Sequence, residues 1–154
     1  MSNVIRSSSS YSAADQPAVI GKIYEELYTD ASDNTVTRYI RCFKASGAVS
    51  KGDLIGAASA NVRAMYSEGT AAKAPAGGLS RPKIYGVAIA DVADGEYGFC
   101  VCRGIFEDAA ANAASVGALL QSHTVAGQVD AITPGAGGSQ KVIGMALAAA
   151  SGNK

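Results

Sequence analysis

Apolar and polar residues alternate over several stretches of this chain, and clusters of turn-forming residues separate those stretches. Residues 35–44 are rich in threonine, valine, tyrosine, isoleucine and phenylalanine, and a turn-forming cluster at residues 30–34 precedes them. Residues 19–28 fit an apolar helical stripe and an alternating strand equally well. The turn cluster favours the strand, because two strands joined by a loop have this composition. We therefore predict a β-hairpin in this region.

Further turns and strands follow the hairpin. Lys51-Gly52-Asp53 lies between two apolar pairs and predicts a tight β-turn. Residues 67–80 offer almost no side chains to bury, which predicts an exposed loop. Residues 82–90 alternate as a strand does, and Asp94-Gly95 marks a bend before the strongest predicted strand, residues 97–106. Both faces of that last strand are largely apolar, so we expect the second face to meet a neighbouring subunit or a loop.

The segment 108–121 is ambiguous by itself. Its alanines favour a helix, whereas Gly117 and the apolar run after it favour a turn leading into a short strand. An internal repeat supports the second interpretation, because one pattern of residues occurs twice in the same order. The first copy comprises Gly52, Leu54, Ile55, Lys83, Ile84, Gly86, Val87, Ala88, Ile89 and Ala90; the second comprises Gly117, Leu119, Leu120, Lys141, Val142, Gly144, Met145, Ala146, Leu147 and Ala148.

These elements predict a mainly β fold, either a small β-barrel or a β-sandwich with an extended N-terminal arm. Two short β-units cannot each bury a face alone, and no long amphipathic helices separate the strands. Residues 1–18 are polar, serine-rich and aperiodic, with Val4, Ile5 and Tyr11 as their apolar contacts. We interpret them as an arm before a domain at residues 19–154, although a disordered tail explains the same composition.

Composition narrows the classes of function. The 154 residues carry 13 basic and 13 acidic side chains and no Lys/Arg run, which argues against nucleic acid as a partner. Charged residues make up 17%, against roughly 25% in ordinary soluble domains, so we expect much of the surface to face another protein. The chain has no secretory signal and no apolar stretch long enough to span a membrane, so we expect it to be made and used without crossing one.

Candidate chemistry is sparse. The single histidine, His123, lies in a polar run and is predicted to be a solvated loop residue. Cys100 and Cys102 are separated by one residue, which is not a zinc spacing, and with Cys42 they are expected to be reduced thiols. The acidic residues lie in or beside predicted turns, and the glycines at 135–138 lack the residues of a phosphate loop. We therefore expect no catalytic residues, no metal and no cofactor, and predict that the protein is not an enzyme.

Several short motifs occur in a familiar order over residues 39–150. Together they resemble the small capsid decoration (cement) proteins of tailed bacteriophages. The motifs are Val49-x-Lys51-Gly52-Asp53-Leu54-Ile55, Gly86-Val87-Ala88, Asp94-Gly95-Glu96-Tyr97-Gly98, Gly104-Ile105-Phe106, Leu119-Leu120-Gln121-Ser122, Thr124-Val125-Ala126-Gly127 and Ile143-Gly144-Met145-Ala146-Leu147.

The resemblance implies a β-barrel-like module on the outer surface of the virion. Such proteins bridge neighbouring subunits of the major capsid protein, often as homotrimers, and stabilise the filled head. By this analogy the protein is made in the host cytoplasm, and the arm lies along the capsid with Val4, Ile5 and Tyr11 as anchors. The arm's length and polarity, and the loop at residues 30–34, depart from the family pattern.

Two other functions compete with this one. The nearer is a different virion or surface module, such as a tail domain or a glycan-binding adhesion domain. Tyr66, Tyr85 and Tyr97 lined up in one groove would favour it. The other is a small enzyme, which would require a deep polar pocket holding His123 or converging carboxylates.

Overall fold

All the regular secondary structure that the computed structural model describes, over residues 7–57, 70–73, 84–133 and 142–151, is β-strand. The prediction of a mainly β fold is therefore confirmed. The strands are β1 (Ile23–Thr29), β2 (Thr35–Ala45), β3 (Leu54–Ala57), β4 (Thr70–Lys73), β5 (Ile84–Ala88), β6 (Tyr97–Arg103), β7 (Ala113–Ala114), β8 (Leu119–Ser122), β9 (Val129–Ala131), β10 (Gly144–Met145) and β11 (Ala150–Ser151).

Strand β2 organises the larger sheet. That sheet has the order β1-β2-β4-β3-β5-β6, and β2 also pairs with β6. The pairings therefore run from β2 through β4, β3, β5 and β6 back to β2. Two smaller sheets, β10-β8-β9 and β11-β7, complete the described fold.

The predicted hairpin is present as β1 and β2, which pair antiparallel from Ile23 opposite Arg41 to Thr29 opposite Thr35. Its loop is held by the carboxylate of Asp30, which accepts hydrogen bonds from the backbone N–H groups of Ser32 and Asn34 at 2.9 and 2.8 Å. This is the local side-chain-to-backbone bonding for which turns select aspartate.

Strand β6 is buried on both faces. One face, with Cys100, packs into a cluster that includes Phe43, Ile55 and Tyr85. The other face packs Phe99 and Val101 into a second cluster with Ile40 and Cys42. The second cluster is covered by residues of the chain's own N-terminal segment. We expected this face to meet a loop or a neighbouring subunit, and in the structure it meets a loop of the same chain.

The predicted exposed loop at residues 67–80 needs a correction. Its central residues form β4, which pairs parallel with β2 and antiparallel with β3. Ala71 is fully buried in the first cluster. Alanine has low β-propensity and little side chain, so the sequence pattern gave no strand signal, and burial between two neighbouring strands decided the conformation. The other residues of that prediction lie outside the described ranges.

The internal repeat is confirmed by identical backbone pairing in the two copies. Each copy begins with a turn containing a glycine of positive φ, Gly52 at +88° and Gly117 at +81°. In each copy the turn glycine donates to an alanine carbonyl, and the same alanine donates back to the residue after the glycine. These bonds are Gly52–Ala88 and Ala88–Asp53, both 2.9 Å, and Gly117–Ala146 and Ala146–Ala118, both 2.8 Å.

Cross-strand register agrees as well. Leu54 lies opposite Val87 between β3 and β5, and the corresponding Leu119 lies opposite Met145 between β8 and β10. The first unit is thus the turn with β3 and β5, and the second unit is the turn with β8 and β10. The ambiguous segment 108–121 forms short strands and a turn, as the repeat predicted.

The two turn glycines provide a matched pair for mutation. A Cβ at Gly52 would collide with the carbonyl oxygen of Asp108, whereas a Cβ at Gly117 would meet nothing within 4 Å. We expect Gly117→Ala to cost about 1 kcal/mol, the strain of positive φ alone, and Gly52→Ala to cost at least about 3 kcal/mol because backbone must also move. Urea unfolding measures both, and equal losses would contradict this account.

Candidate interaction surfaces

The N-terminal segment is attached to the domain through Tyr11. Its backbone N–H and C=O each form a 2.9 Å hydrogen bond with Tyr97. Its ring meets Phe99 edge-on, with centroids 6.3 Å apart and planes at 78°. Ala18 and Ile20 pack against the same cluster. Tyr11 is therefore an anchor to the chain's own core, so the structure gives it a role that the arm prediction did not include.

The other two predicted arm contacts, Val4 and Ile5, lie outside the described residues, so their role as capsid anchors stays a prediction. The described part of the arm does not end at residue 18. Gly21 continues along the domain, and its N–H donates to the carbonyl of Cys42 at 3.1 Å. Tyr11, Ala18, Ile20 and Gly21 therefore contact the domain along β6 and β2.

Arg38 is the centre of a partly buried polar network. Its Nε lies 2.5 Å from a carboxylate oxygen of Glu26, and its guanidinium lies 3.9 Å from the centre of the Tyr28 ring. The Tyr28 hydroxyl donates to Glu107, and this hydrogen bond, with desolvation, raises the pKa of Tyr28. Ser7 donates to Glu26. The network joins the hairpin, the segment after β6 and the N-terminal segment.

Sequence reasoning missed this network although a signal existed. Once β1 and β2 are paired around the loop at residues 30–34, the register places Glu26 directly opposite Arg38. Gly104 allows the backbone after β6 to lie close to Arg38, because a Cβ at Gly104 would lie 2.8 Å from the Cβ of Arg38. Opposite charges directly across an antiparallel pair favour each other, and here burial adds to the effect.

His123 lies in the loop after β8, as predicted. Its ring is mostly covered, however, whereas the sequence predicted a solvated side chain. It follows β8, its Nδ1 accepts a 3.1 Å hydrogen bond from the N–H of Val125, and its Nε2 lies 3.7 Å from Asp130. The β8–β9 register brings Asp130 to the histidine and covers most of the ring. The described ranges hold no group of three or more His, Cys, Asp or Glu side chains that could bind a metal ion.

Several acidic residues act in turns, as interpreted from the sequence, but Glu25 and Glu26 lie inside β1, where Glu26 pairs with Arg38. Asp91 accepts from the N–H of Lys51, and Asp94 accepts from the N–H of Gly47, both at 2.7 Å. Asp53 accepts from the N–H of Ser50 at 2.7 Å. These carboxylates satisfy backbone donors at bends.

Exposed large apolar side chains fall into two groups among the described residues. Val19, Ile23 and Leu27 lie in or just before the hairpin; Val116, Leu119, Val125, Val142, Met145 and Leu147 lie in or beside the second unit. The two groups differ in the number of charged residues in the segments that carry them. Described residues 109–133 and 142–151 contain no lysine or arginine and a single carboxylate, Asp130, which faces His123.

Searches of protein-family models, curated proteins and solved structures find no match to this chain. Within the described ranges, no helix has the length and hydropathy that crossing a membrane requires.

Removing the Arg38 side chain tests the polar network. We expect Arg38→Ala to lower the free energy of unfolding by about 3 kcal/mol, because Glu26 is left partly buried without its partner and the Tyr28 ring loses its cover. Arg103→Ala is the matched control. Arg103 is exposed and lies over Tyr39 at 5.6 Å, so we expect its loss to cost less than about 1 kcal/mol. Similar losses in the two variants would argue against the network's importance.

Thiol reactivity tests the core around β6. Cys42, Cys100 and Cys102 are all described and all have free thiols, but the first two are buried. Desolvation raises the pKa of Cys42 to about 11 and raises that of Cys100 further. At about pH 8 we expect one fast-reacting thiol, Cys102, and two that react at the rate of unfolding. A fast phase that persists in Cys102→Ser would contradict this assignment.

Proposed function

We propose that this protein is a structural virion protein that binds the outside of a phage head and stabilises it by bridging subunits of the major capsid protein. In this proposal the chain associates with copies of itself as a homotrimer and needs no cofactor. Its partners are protein surfaces. The order of the sequence motifs suggests this function, and two properties of the surface support it.

The observation that carries the proposal is the combination of exposed apolar residues and scarce charge. Surfaces of ordinary monomeric domains rarely expose contiguous apolar patches larger than a few hundred Å², and larger patches mark interaction sites. Charged side chains are depleted in the centres of protein interfaces because burying them requires desolvation. Leu119 and Met145 lie opposite each other on β8 and β10 and are about half exposed, and described residues 109–133 and 142–151 contain no lysine or arginine.

Bridging explains how such a protein would strengthen a shell. A ligand that binds the assembled state and not the separated subunits stabilises assembly by mass action. Several weak contacts that are held on one rigid module add through effective concentration. The β2-β4-β3-β5-β6 circuit supplies that rigidity, because its strands share one buried core.

The described N-terminal segment changes the proposed role of the arm. Ordering a residue costs roughly 1–2 kcal/mol, and the contacts of Tyr11, Ala18 and Ile20 with the chain's own core offset part of this cost for the described segment. We therefore propose that capsid attachment by the arm depends on the residues before Ser7, where Val4 and Ile5 are the apolar candidates.

The glycan-binding alternative finds no support in the described residues. Of the three tyrosines that would form its stacking groove, Tyr85 and Tyr97 are buried in different core clusters, and Tyr66 lies outside the described ranges. A buried ring cannot stack on a sugar. We therefore do not propose a second function.

Binding to purified heads tests the proposal. We expect the full chain to sediment with heads that lack it, taken from the phage that encodes it, and to raise the temperature at which they release DNA. Val4→Ser with Ile5→Ser should weaken binding at least about tenfold, because two apolar anchors are lost.

The matched control is Ser2→Ala with Asn3→Ala, which changes the same segment without removing apolar contacts. Failure of the full chain to sediment would overturn the proposed function. Equal binding by the Val4→Ser, Ile5→Ser variant and the control would overturn only the proposed role of the arm. Unfolding curves that match the full chain would show that each variant is folded.

A further inference from the structure

His123 holds the loop between β8 and β9 through a ring atom whose bonding depends on pH. Its Nδ1 accepts a 3.1 Å hydrogen bond from the backbone N–H of Val125. Only the uncharged ring can accept at this atom, because a protonated imidazole carries a hydrogen on both of its nitrogens. The bond therefore requires the uncharged tautomer with its hydrogen on Nε2, and protonation of Nδ1 abolishes it.

Asp130 offers the protonated ring a different partner. One of its carboxylate oxygens lies 3.7 Å from Nε2, and the side chain of His123 is only 15% exposed. At this distance and degree of burial, a carboxylate stabilises the charged form of the ring. The Thr124 hydroxyl, 3.4 Å from Nε2, can accept from that nitrogen in either state. Protonation thus exchanges a hydrogen bond to the loop for an ion pair with β9.

The other charges that the structure describes around this loop do not face the ring. Strands β7 and β10 carry no ionisable side chain, and Asp130 is the one ionisable residue of β9. Asp53 and Lys73 approach the loop at Gly127, but they pair with each other at 2.9 Å. The charge of the ring therefore acts mainly on Asp130.

The ends of the loop are held by bonds that do not use the ring. The N–H of His123 donates to the carbonyl of Gln128 at 2.9 Å, and the N–H of Leu54 donates to the carbonyl of Gly127 at 2.6 Å. Val125 lies at the centre of the loop, and its side chain is 50% exposed. Its N–H is bound by the ring, and its carbonyl accepts from Gln128 at 3.3 Å. Loss of the ring bond therefore affects the centre of the loop and spares its ends.

We infer that His123 is a pH-sensitive switch for this loop. The uncharged ring fixes the backbone of Val125. The protonated ring pairs with Asp130 and releases the N–H of Val125 to water, so the exposed valine side chain is no longer held in one position. The switch does not depend on the proposed function.

NMR spectroscopy of the full chain tests the switch, and the single histidine makes the ring signals unambiguous. At about pH 8 we expect the ring nitrogen signals of the tautomer with hydrogen on Nε2. Between about pH 8 and pH 5, where histidine side chains gain their proton, the amide signal of Val125 should move with the ring signals at one shared midpoint. The amide signal of Leu54 should stay unchanged.

His123→Asn is the matched control. An asparagine side chain does not titrate, and its oxygen can accept from the N–H two residues on, as the carboxylate of Asp30 does from Ser32 at 2.9 Å. At about pH 5 we expect the Val125 amide to exchange with solvent about tenfold faster in the unaltered chain than in His123→Asn, because a hydrogen bond has been lost. At about pH 8 the two rates should agree.

Asp130→Asn tests the ion pair. The charged ring loses its partner in this variant, so the shared midpoint should move to lower pH. An unchanged or higher midpoint would overturn the inference. So would a ring with its hydrogen on Nδ1 at about pH 8, a Val125 amide that does not follow the ring, or equal exchange at about pH 5 in His123→Asn. Parallel loss of the Leu54 amide signal would show general unfolding and would also overturn it.

Discussion

Burial of β6 on both faces is the constraint on which the rest of the structure depends. A strand with Phe99 and Val101 on one side and Cys100 on the other cannot lie at the surface of a small domain. The circuit of strands from β2 to β5 covers one side, and residues 11–20 cover the other. The N-terminal segment is consequently part of the core, and the hairpin, which shares β2 with β6, is positioned by the same requirement.

The two copies of the β-unit share one backbone structure but present different side chains. Both copies need a glycine in the left-handed region, and both close the turn with the same pair of backbone hydrogen bonds. Their side chains differ because their surroundings differ. The first unit faces the second through Leu54 and keeps charged residues at its turn, whereas the second presents valine, leucine and methionine outward. Backbone geometry is thus shared, and surface chemistry is specific to each copy.

The polar side chains of the Arg38 network and of the turns stabilise the fold. Arg38 and Glu26 neutralise each other in a partly buried position, and Asp53, Asp91 and Asp94 accept from backbone donors at turns. Each of these groups is engaged in holding an element in place. The exposed surfaces carry the features that the proposed function uses, which are apolar side chains and scarce charge.

The sequence by itself determined strands β1, β2, β5 and β6, the hairpin loop and the internal repeat, because alternation, turn residues and glycine spacing are local properties of the chain. The low charge predicts protein surfaces as partners, and this stays a prediction. Tertiary structure decided that Thr70–Lys73 is a strand, that Tyr11 belongs to the core and that His123 lies against Asp130. These outcomes depend on what lies beside each residue after folding. A small side chain such as that of Ala71 is identical in a loop and in a core, and its neighbours alone distinguish the two.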